Sequence, residues 1–414
     1  VNKDNVLQHY WTLKADGISG FKADVYMEYV EDDVKVTSPF NIGDYYPAAL
    51  LIEQKGKWSK FPKDDFSWDD KYLKFDFDNA DSDRISGDYT AGARNTIDDD
   101  IYDAIPGQVA TYETTKGGLW AESTVWEPSI SGGPHGAIAT INMNHVVSLP
   151  ETSVSGYMTE IYGTLKQGST FGHRLGIVSG TGTLSSDAGL LPAAVHDHFF
   201  SPAGGTLEFS GNSNYDLLGN ITTINHLKLS GSGERRFSNN NLTLNGNLII
   251  DGDANLKLEN PFNKKVTIKG SLSRISGSFS SGTGANATIA FAGVLPQTIT
   301  GAFVNSNSFN NLEIDNSHGV TIEDAVEVDK EFIFINGRVN IASGGMLKIK
   351  YGGIITPEEG NSQSFVNGEL TREMMPGNSV IFPIGDGNTY GPILLNNVGG
   401  PLGVNDWKAT YKRE

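Results

Sequence analysis

From about residue 112 to 364 the chain is written in brief apolar triplets separated by Gly, Asn, Ser and Asp: Ala139-Thr140-Ile141, Gly182-Thr183-Leu184, His226-Leu227-Lys228-Leu229, Val266-Thr267-Ile268, Phe332-Ile333-Phe334. Alternation of large apolar with polar residues is the period of a strand with one buried face. Leu165, Leu184, Leu207, Leu227, Leu248, Ile268, Ile289, Leu312 and Ile333 follow one another at 19–23 residues. Further triplets lie between these markers, such as Leu242-Thr243-Leu244 and Leu256-Lys257-Leu258. Two or three strands per ~20-residue repeat is the arithmetic of a parallel β-helix, in which no coil buries its apolar face alone and neighbouring coils supply the core. The tight L-x-x-L-x-L spacing of leucine-rich repeats does not recur, and helical periodicity is missing. About a dozen coils at ~4.8 Å predict a rod near ~60 Å. Asn239–Asn241, Asn305, Asn307, Asn310 and Asn311 stand just before strands. Sharp corners there favour left-handed backbone, which Asn tolerates, and stacked amides are expected to bond from coil to coil.

Residues 1–110 have a different texture, dense in aromatics and charge. Residues 21–30 alternate strongly, short apolar runs follow at 48–54 and 72–77, and turn signals separate them. Short strands at such spacing predict an antiparallel sandwich. Residues 86–92 and the acidic run Asp98-Asp99-Asp100 read as exit and linker. The expected fold class is all-β: a right-handed parallel β-helix over 111–378, flanked by partial sandwiches. Residues 1–110 are expected to hold the C-terminal part of one sandwich plus the linker, and 379–414 the start of a second.

Composition agrees. In 414 residues there are 49 Gly and only 19% charged residues, the balance of turn-punctuated strands. Lys and Arg number 31 against 49 Asp and Glu, a formal charge of −18 with a pI near 4.8. That excess argues against nucleic acid, whose phosphates need clustered cations, and against anionic membrane surfaces. The absence of Cys removes disulfides, thiolate catalysis and Cys-ligated metals together. No apolar run approaches the ~18 residues of a membrane span, so direct membrane insertion is not expected. The chain opens at Val1 with neither Met nor a signal-peptide pattern, and is expected to be a piece of something longer.

Gly117-Gly118-Leu119-Trp120-Ala121-Glu122-Ser123-Thr124-Val125-Trp126-Glu127-Pro128, followed by strands at 136–141, 145–149 and 161–165, resembles the glycine-rich β-helix domain of fibrocystin-type surface proteins. The chain as a whole is similar to the long modular cell-surface proteins of Bacteroidota, in which blocks like residues 292–301, 309–314 and 364–372 recur. The resemblance implies export, by the type IX route, and an adhesin-like or matrix role; no catalytic signature accompanies it. It also implies tandem sandwiches, because a block like Val380–Gly387 opens such a domain and a strand like Tyr10–Leu13 begins its second half.

Candidate chemistry is sparse. His196-Asp197-His198 is the sharpest metal-like cluster, since an H-x-H strand would place both imidazoles on one face; a polar loop or coil-edge packing is the plainer reading. Asp76, Asp78, Asp81 and Asp83 suggest a Ca²⁺ site, although the EF-hand glycine and closing glutamate are missing; a solvated turn is the plainer alternative. Polysaccharide-cleaving β-helices need carboxylates converging on one groove, often with a basic partner. Asp251, Asp253, Glu259, Asp315, Glu323 and Asp324, with Arg235, Arg236 and Arg274, are expected to face outward without forming such a set. Trp120 and Trp126 read as a cap over the first coil rather than a sugar platform.

No catalytic residue and no required cofactor is assigned, and Ca²⁺ is the one ion considered. The expected function is a non-catalytic structural and adhesive segment of a secreted cell-surface protein. It would act outside the cell as a stiff spacer touching neighbouring cells, matrix or glycans, with tandem domains of the same chain beside it and specificity in loops such as 185–202. A glycan-binding module, or a β-helix polysaccharide lyase or hydrolase, is the alternative.

Overall fold

In a computed structural model the chain is 50% strand and 6% helix, the all-β class expected, and most of it forms a β-solenoid of about 11 turns. The structure describes residues 5–37, 41–51, 58–93, 110–168, 172–217, 221–237, 241–258, 264–281, 287–400 and 402–414. The expected linker at 98–100 and Glu259 lie outside the described residues.

The N-terminal segment carries two small antiparallel sheets. Trp11–Leu13, Gly87–Ala93, Tyr45–Leu51 and Ser59–Lys60 form one, and Phe21–Glu28, Tyr72–Ala80 and Phe66–Ser67 the other. Strict alternation in Phe21–Glu28 turns Ala23, Val25 and Met27 to one face, opposite Phe77, Phe75 and Leu73 of the neighbouring strand. Met27, Phe75 and Phe77 share one buried cluster with Tyr45, Leu51 and Tyr89 of the other sheet.

From Thr111 onward the strands pair parallel, coil upon coil. A 14-stranded sheet runs the length of the solenoid. Its inward row passes Val147, Leu165, Leu184, Leu207, Leu227, Leu248, Leu272, Ile299, Ile322 and Ile341 in direct register. The expected ladder is therefore right as far as Leu248 and then leaves its sheet. Ile268 belongs to a separate ten-stranded sheet, paired with Leu244 and Phe291. Ile333 stands on an outward row beside Glu313, while its neighbours Phe332 and Phe334 are buried. For Ile268 the reason is coil length: from Leu248 to its partner Leu272 is 24 residues and from Leu272 to Ile299 is 27, so a fixed ~20-residue step lands on another wall; Ile333 misses by one residue, since Leu312 pairs with Phe332.

The solenoid changes its second wall part-way. Up to Ala193–Val195 that wall is a six-stranded sheet; beyond it stand a four-stranded sheet, beginning at Tyr215–Leu217, and the ten-stranded sheet, beginning at Thr223–Ile224. The short helix Asp197–Phe200 packs between Arg174–Ser179 of the first and Thr223–Ile224 of the last. It inserts the buried Phe199 into the core.

Antiparallel strands cover the six-stranded sheet at the N-terminal end of the stack and both long sheets at the other end, which blunts those edges against pairing with another chain. At the N-terminal end Trp126–Glu127 pairs antiparallel with Thr111–Thr114. At the other end Ile384–Asp386 still stacks parallel on Val366–Asn367, then Thr389–Tyr390 folds back on it antiparallel. Asn405–Ala409 closes the ten-stranded sheet, antiparallel to Leu370–Met374. Within residues 379–414, expected to open a second sandwich, Ile384–Asp386, Thr389–Tyr390 and Asn405–Ala409 thus join the solenoid's own sheets, while Val380–Phe382 and Ile393–Leu395 pair with each other in a separate antiparallel hairpin. Once the solenoid offers unpaired strand edges, main-chain hydrogen bonding draws this segment onto them.

Candidate functional site

Coil corners hold the stack together. Of the asparagines expected in left-handed backbone, Asn305 adopts it among the described residues, at φ +57°. Asn307, Asn310 and Asn311 instead reach back one coil: Asn307 accepts from the Phe279 amide at 2.8 Å, Asn310 donates to the Ser281 carbonyl at 3.1 Å, and Asn311 donates to the Thr288 hydroxyl at 3.4 Å. Asn239 and Asn240 lie outside the described residues, and Asn241 accepts from the Lys265 amide at 2.9 Å. Amide-to-amide bonding between coils occurs elsewhere, at Asn367 to Asn340 (2.9 Å) and Asn316 to Gln297 (2.8 Å). Gln297 is buried and fully used, its Oε1 also accepting from the Gly293 amide and its Nε2 donating to the carbonyls of Ile268 and Gly270.

Outward rows carry charge in cross-coil pairs. Lys228 lies opposite Glu208 in register and reaches it at 3.1 Å, with Asp251 on its other side at 3.9 Å. Arg236 meets its register partner Asp216 at 2.9 Å, and Lys348 stands between Glu373 and Asp406 at 2.7 and 3.1 Å. In these rows a cation stands where carboxylates approach each other, so a pair free for acid–base chemistry is not assembled there. Glu323 accepts from the Thr300 hydroxyl and Asp324 from the Gly301 amide, both across coils, while Asp253 and Asp315 are simply exposed.

Arg235 overturns the expectation that it faces solvent. It is fully buried, with Nη1 donating to the Ser213 carbonyl at 2.8 Å and Nη2 to the carbonyls of Ser230 (3.1 Å) and Gly211. Its guanidinium lies 4.2 Å from the centre of the Tyr215 ring. The reason is parity: Arg235 shares the inward face of Ser232–Phe237 with Phe237, and bending carbonyls at the coil corner supply the acceptors an inward cation needs. Arg274 is likewise turned to its own corner, donating to the Ala302 and Gly277 carbonyls.

The predicted metal residues do not converge. His196 immediately precedes the Asp197–Phe200 helix without a capping side-chain hydrogen bond, its ring stacked on Phe200 at 5.1 Å, and burial holds its pKa below the ordinary imidazole value against the pull of Asp197. His198 is exposed one residue into the helix. The H-x-H segment is a helix start rather than a strand, which removes the alternation that would have set both imidazoles on one face. Asp76 and Asp78 lie on the outer face of Tyr72–Ala80, bound to Lys74 at 2.7 Å and Lys22 at 3.3 Å. The Lys74 hydrogen bond holds the Asp76 carboxyl below its usual range. Asp81 caps the helix Ser82–Ile85 by accepting from the Arg84 amide; Asp83 is on that helix and its side chain is outside the described residues. Among the described residues no three metal-ligating side chains come together.

Trp120 and Trp126 are both buried, their rings edge to face at 4.8 Å in the solenoid core. Residues 185–202, expected to be an interaction loop, are largely occupied by structure, with Ala193–Val195 in the six-stranded sheet and Phe199 in the core.

One solenoid cleft, of about 220 Å³, lies at the corners of successive coils between Ser317, His318, Asn336, Arg338, Asn340 and Gln363. Between the lining residues Asn336 and Arg338, Gly337 holds φ +95°, and a Cβ there would sit 1.8 Å from the Asn316 carbonyl oxygen. Arg338 donates to the Gly387 carbonyl at 3.1 Å and to the Asn388 side chain, its guanidinium 4.9 Å from the Phe365 ring centre. The arginine thus ties a solenoid corner to the closing segment, and this lining contains no carboxylate.

No family model, curated protein sequence or solved structure matches the chain.

Proposed function

We propose that the chain is a non-catalytic structural and adhesive segment of a long secreted cell-surface protein, in which the solenoid is a stiff spacer and presents an interaction surface. One observation carries the reading: a single sheet keeps parallel register from Gly118–Leu119 to Ile384–Asp386 over one continuous apolar core. About 11 turns at ~4.8 Å make a rod of roughly 50 Å. Cross-coil hydrogen bonds and ion pairs resist its bending, and the acidic surface keeps it solvated. The resemblance of its repeat blocks to the surface proteins of Bacteroidota supports export by the type IX route, with neighbouring cells, matrix or glycans as partners.

Force spectroscopy on the chain held by its termini tests the mechanical part. A spacer should yield its coils in steps at forces well above those that extend an unstructured linker; smooth extension at low force would sink the reading. Incubation with neutral and acidic polysaccharides, followed by reducing-end and unsaturated-product assays, tests the non-catalytic part. Steady turnover would replace the spacer with a glycan-cleaving enzyme.

A further inference from the structure

We propose that a cleft in the N-terminal sheets, walled by Phe66, Trp68 and Tyr72 and rimmed by Lys63, Asp64 and Asp69, binds a neutral saccharide. The site belongs to the N-terminal sheets alone and stands whether or not the solenoid is a spacer.

The cleft measures about 390 Å³, and its base reaches the buried Tyr45. That size falls within the ~300–1,000 Å³ range of small-ligand clefts and accommodates one or two pyranose rings. The aromatic residues are held by their neighbours. Phe66 stacks on Tyr29 at 5.3 Å with planes 10° apart, and meets Tyr45 at 5.2 Å. The Lys71 ammonium lies 3.5 Å from the centre of the Trp68 ring and is itself held by Glu31 at 3.6 Å.

Between Phe66–Ser67 and Tyr72–Ala80 the chain turns through Trp68–Lys71. This tight turn puts Lys71, a residue with a side chain, into left-handed backbone at φ +60°. The strained residue is fixed by its carbonyl accepting from the Tyr29 amide at 2.9 Å, and the turn by Ser67 Oγ accepting from the Asp70 amide at 3.1 Å. Strain of this kind persists where surrounding contacts over-determine it, and it concentrates at binding sites.

Above this rigid wall stand three charged side chains with nothing to hold. Lys63, Asp64 and Asp69 are exposed and make no hydrogen bond or ion pair among the described residues. Nearby carboxylates differ: Asp76 and Asp78 are each paired with a lysine. An aromatic face with free carboxylates beside it matches a sugar ring, whose C–H face packs on the ring while vicinal hydroxyls donate to the carboxylates. Lys63 adds a donor for ring or hydroxyl oxygens. Two carboxylates against one ammonium, on a chain of net charge −18, repel uronates and sulfated sugars. The ligand is therefore neutral.

The test is calorimetric titration of the full chain with xylo-, cello-, manno-, galacto- and chito-oligosaccharides, and with alginate and hyaluronan oligomers as the acidic arm. The expected result is saturable binding of at least one neutral series, weakened about tenfold or more by Asp64→Asn or Asp69→Asn through loss of a charge-assisted hydrogen bond. Asp315→Asn on the solenoid should leave it unchanged. Because the two rim carboxylates are exposed, these variants keep the fold, which thermal unfolding checks. Trp68→Ala should abolish binding, but counts only if the variant melts as the wild type does. The proposal is overturned if no neutral series binds at about 10 mM, weaker than which association is not specific recognition. Binding that survives the Asp64→Asn/Asp69→Asn double variant, or preference for the acidic oligomers, also overturns it.

Discussion

The indole N–H of Trp126 donates to the main-chain carbonyl of Trp120 at 2.7 Å, and the two rings meet edge to face. Trp120 follows Gly118–Leu119, the end strand of the long sheet, while Trp126 lies in the end strand of the six-stranded one. The pair therefore spans the first coil from both walls. Its removal opens the solenoid at the end where no earlier coil can cover the core.

Trp126→Phe keeps most of the ring but leaves a buried carbonyl unpaired, and should cost about 1–3 kcal/mol. Trp126→Ala should cost about 3–5 kcal/mol. Denaturant unfolding gives the magnitudes, and amide exchange over residues 138–161 should speed up before the rest of the rod. Uniform exchange along the solenoid would show that the pair is not an end cap.

The alternation on Thr206–Phe209 and His226–Leu229 separates core from surface within single residues. Leu227→Ala, on the inward row, should cost about 2–5 kcal/mol. Lys228→Ala, one residue on and paired with Glu208, should cost no more than ~1 kcal/mol, less at high salt. Comparable midpoints for the two variants in urea would contradict the register.

Buried Arg235 offers a sharper contrast. Arg235→Ala strands the Ser213, Ser230 and Gly211 carbonyls and leaves a cavity, and should destabilise by about 3 kcal/mol or more. Arg235→Met fills the space and removes a buried charge, so it should recover a substantial part of that loss. If Met proved as damaging as Ala, the hydrogen bonds rather than the volume would set the energy.

Acid should loosen the rod. Burial holds His173 and His226 below their ordinary pKa of 6.5, and the Nδ1 atoms accept from the amides of Val154 (3.3 Å) and Asn247 (2.9 Å). Because the folded pKa is lowered, the unfolded chain takes the proton first. The stabilisation is complete above 6.5 and is lost as pH falls below it. The melting temperature should drop between pH 7 and pH 5, and His226→Gln should flatten that drop while lowering stability at pH 7. An unchanged slope in the variant would clear His226 of the effect.

Much of the solenoid was legible in the chain because strand alternation is local. Triplets such as Leu227-Lys228-Leu229 announce one face inward and one outward wherever they occur. The same parity marks Arg235 as inward through Phe237, a signal outweighed by the general expectation that arginine is solvated. The expectation of an H-x-H strand at His196 and His198 differed from the structure because the chain starts a helix there, at Asp197. The N-terminal cleft left no signal, because Tyr45 and Trp68 come together only through pairing within and between two sheets.

The sequence by itself determined the all-β class, the coiled repeat and the inward rows as far as Leu248. Each follows from residue spacing within one coil. Only the tertiary structure decided that Leu272 rather than Ile268 stacks on Leu248, that Thr389–Tyr390 and Asn405–Ala409 close the solenoid's sheets, and that Arg235 is buried among carbonyls. Those outcomes depend on coil length and on which strand edges remain unpaired once the stack has formed. Hydrogen bonds between residues 20 or more apart settle both, and no local pattern records them.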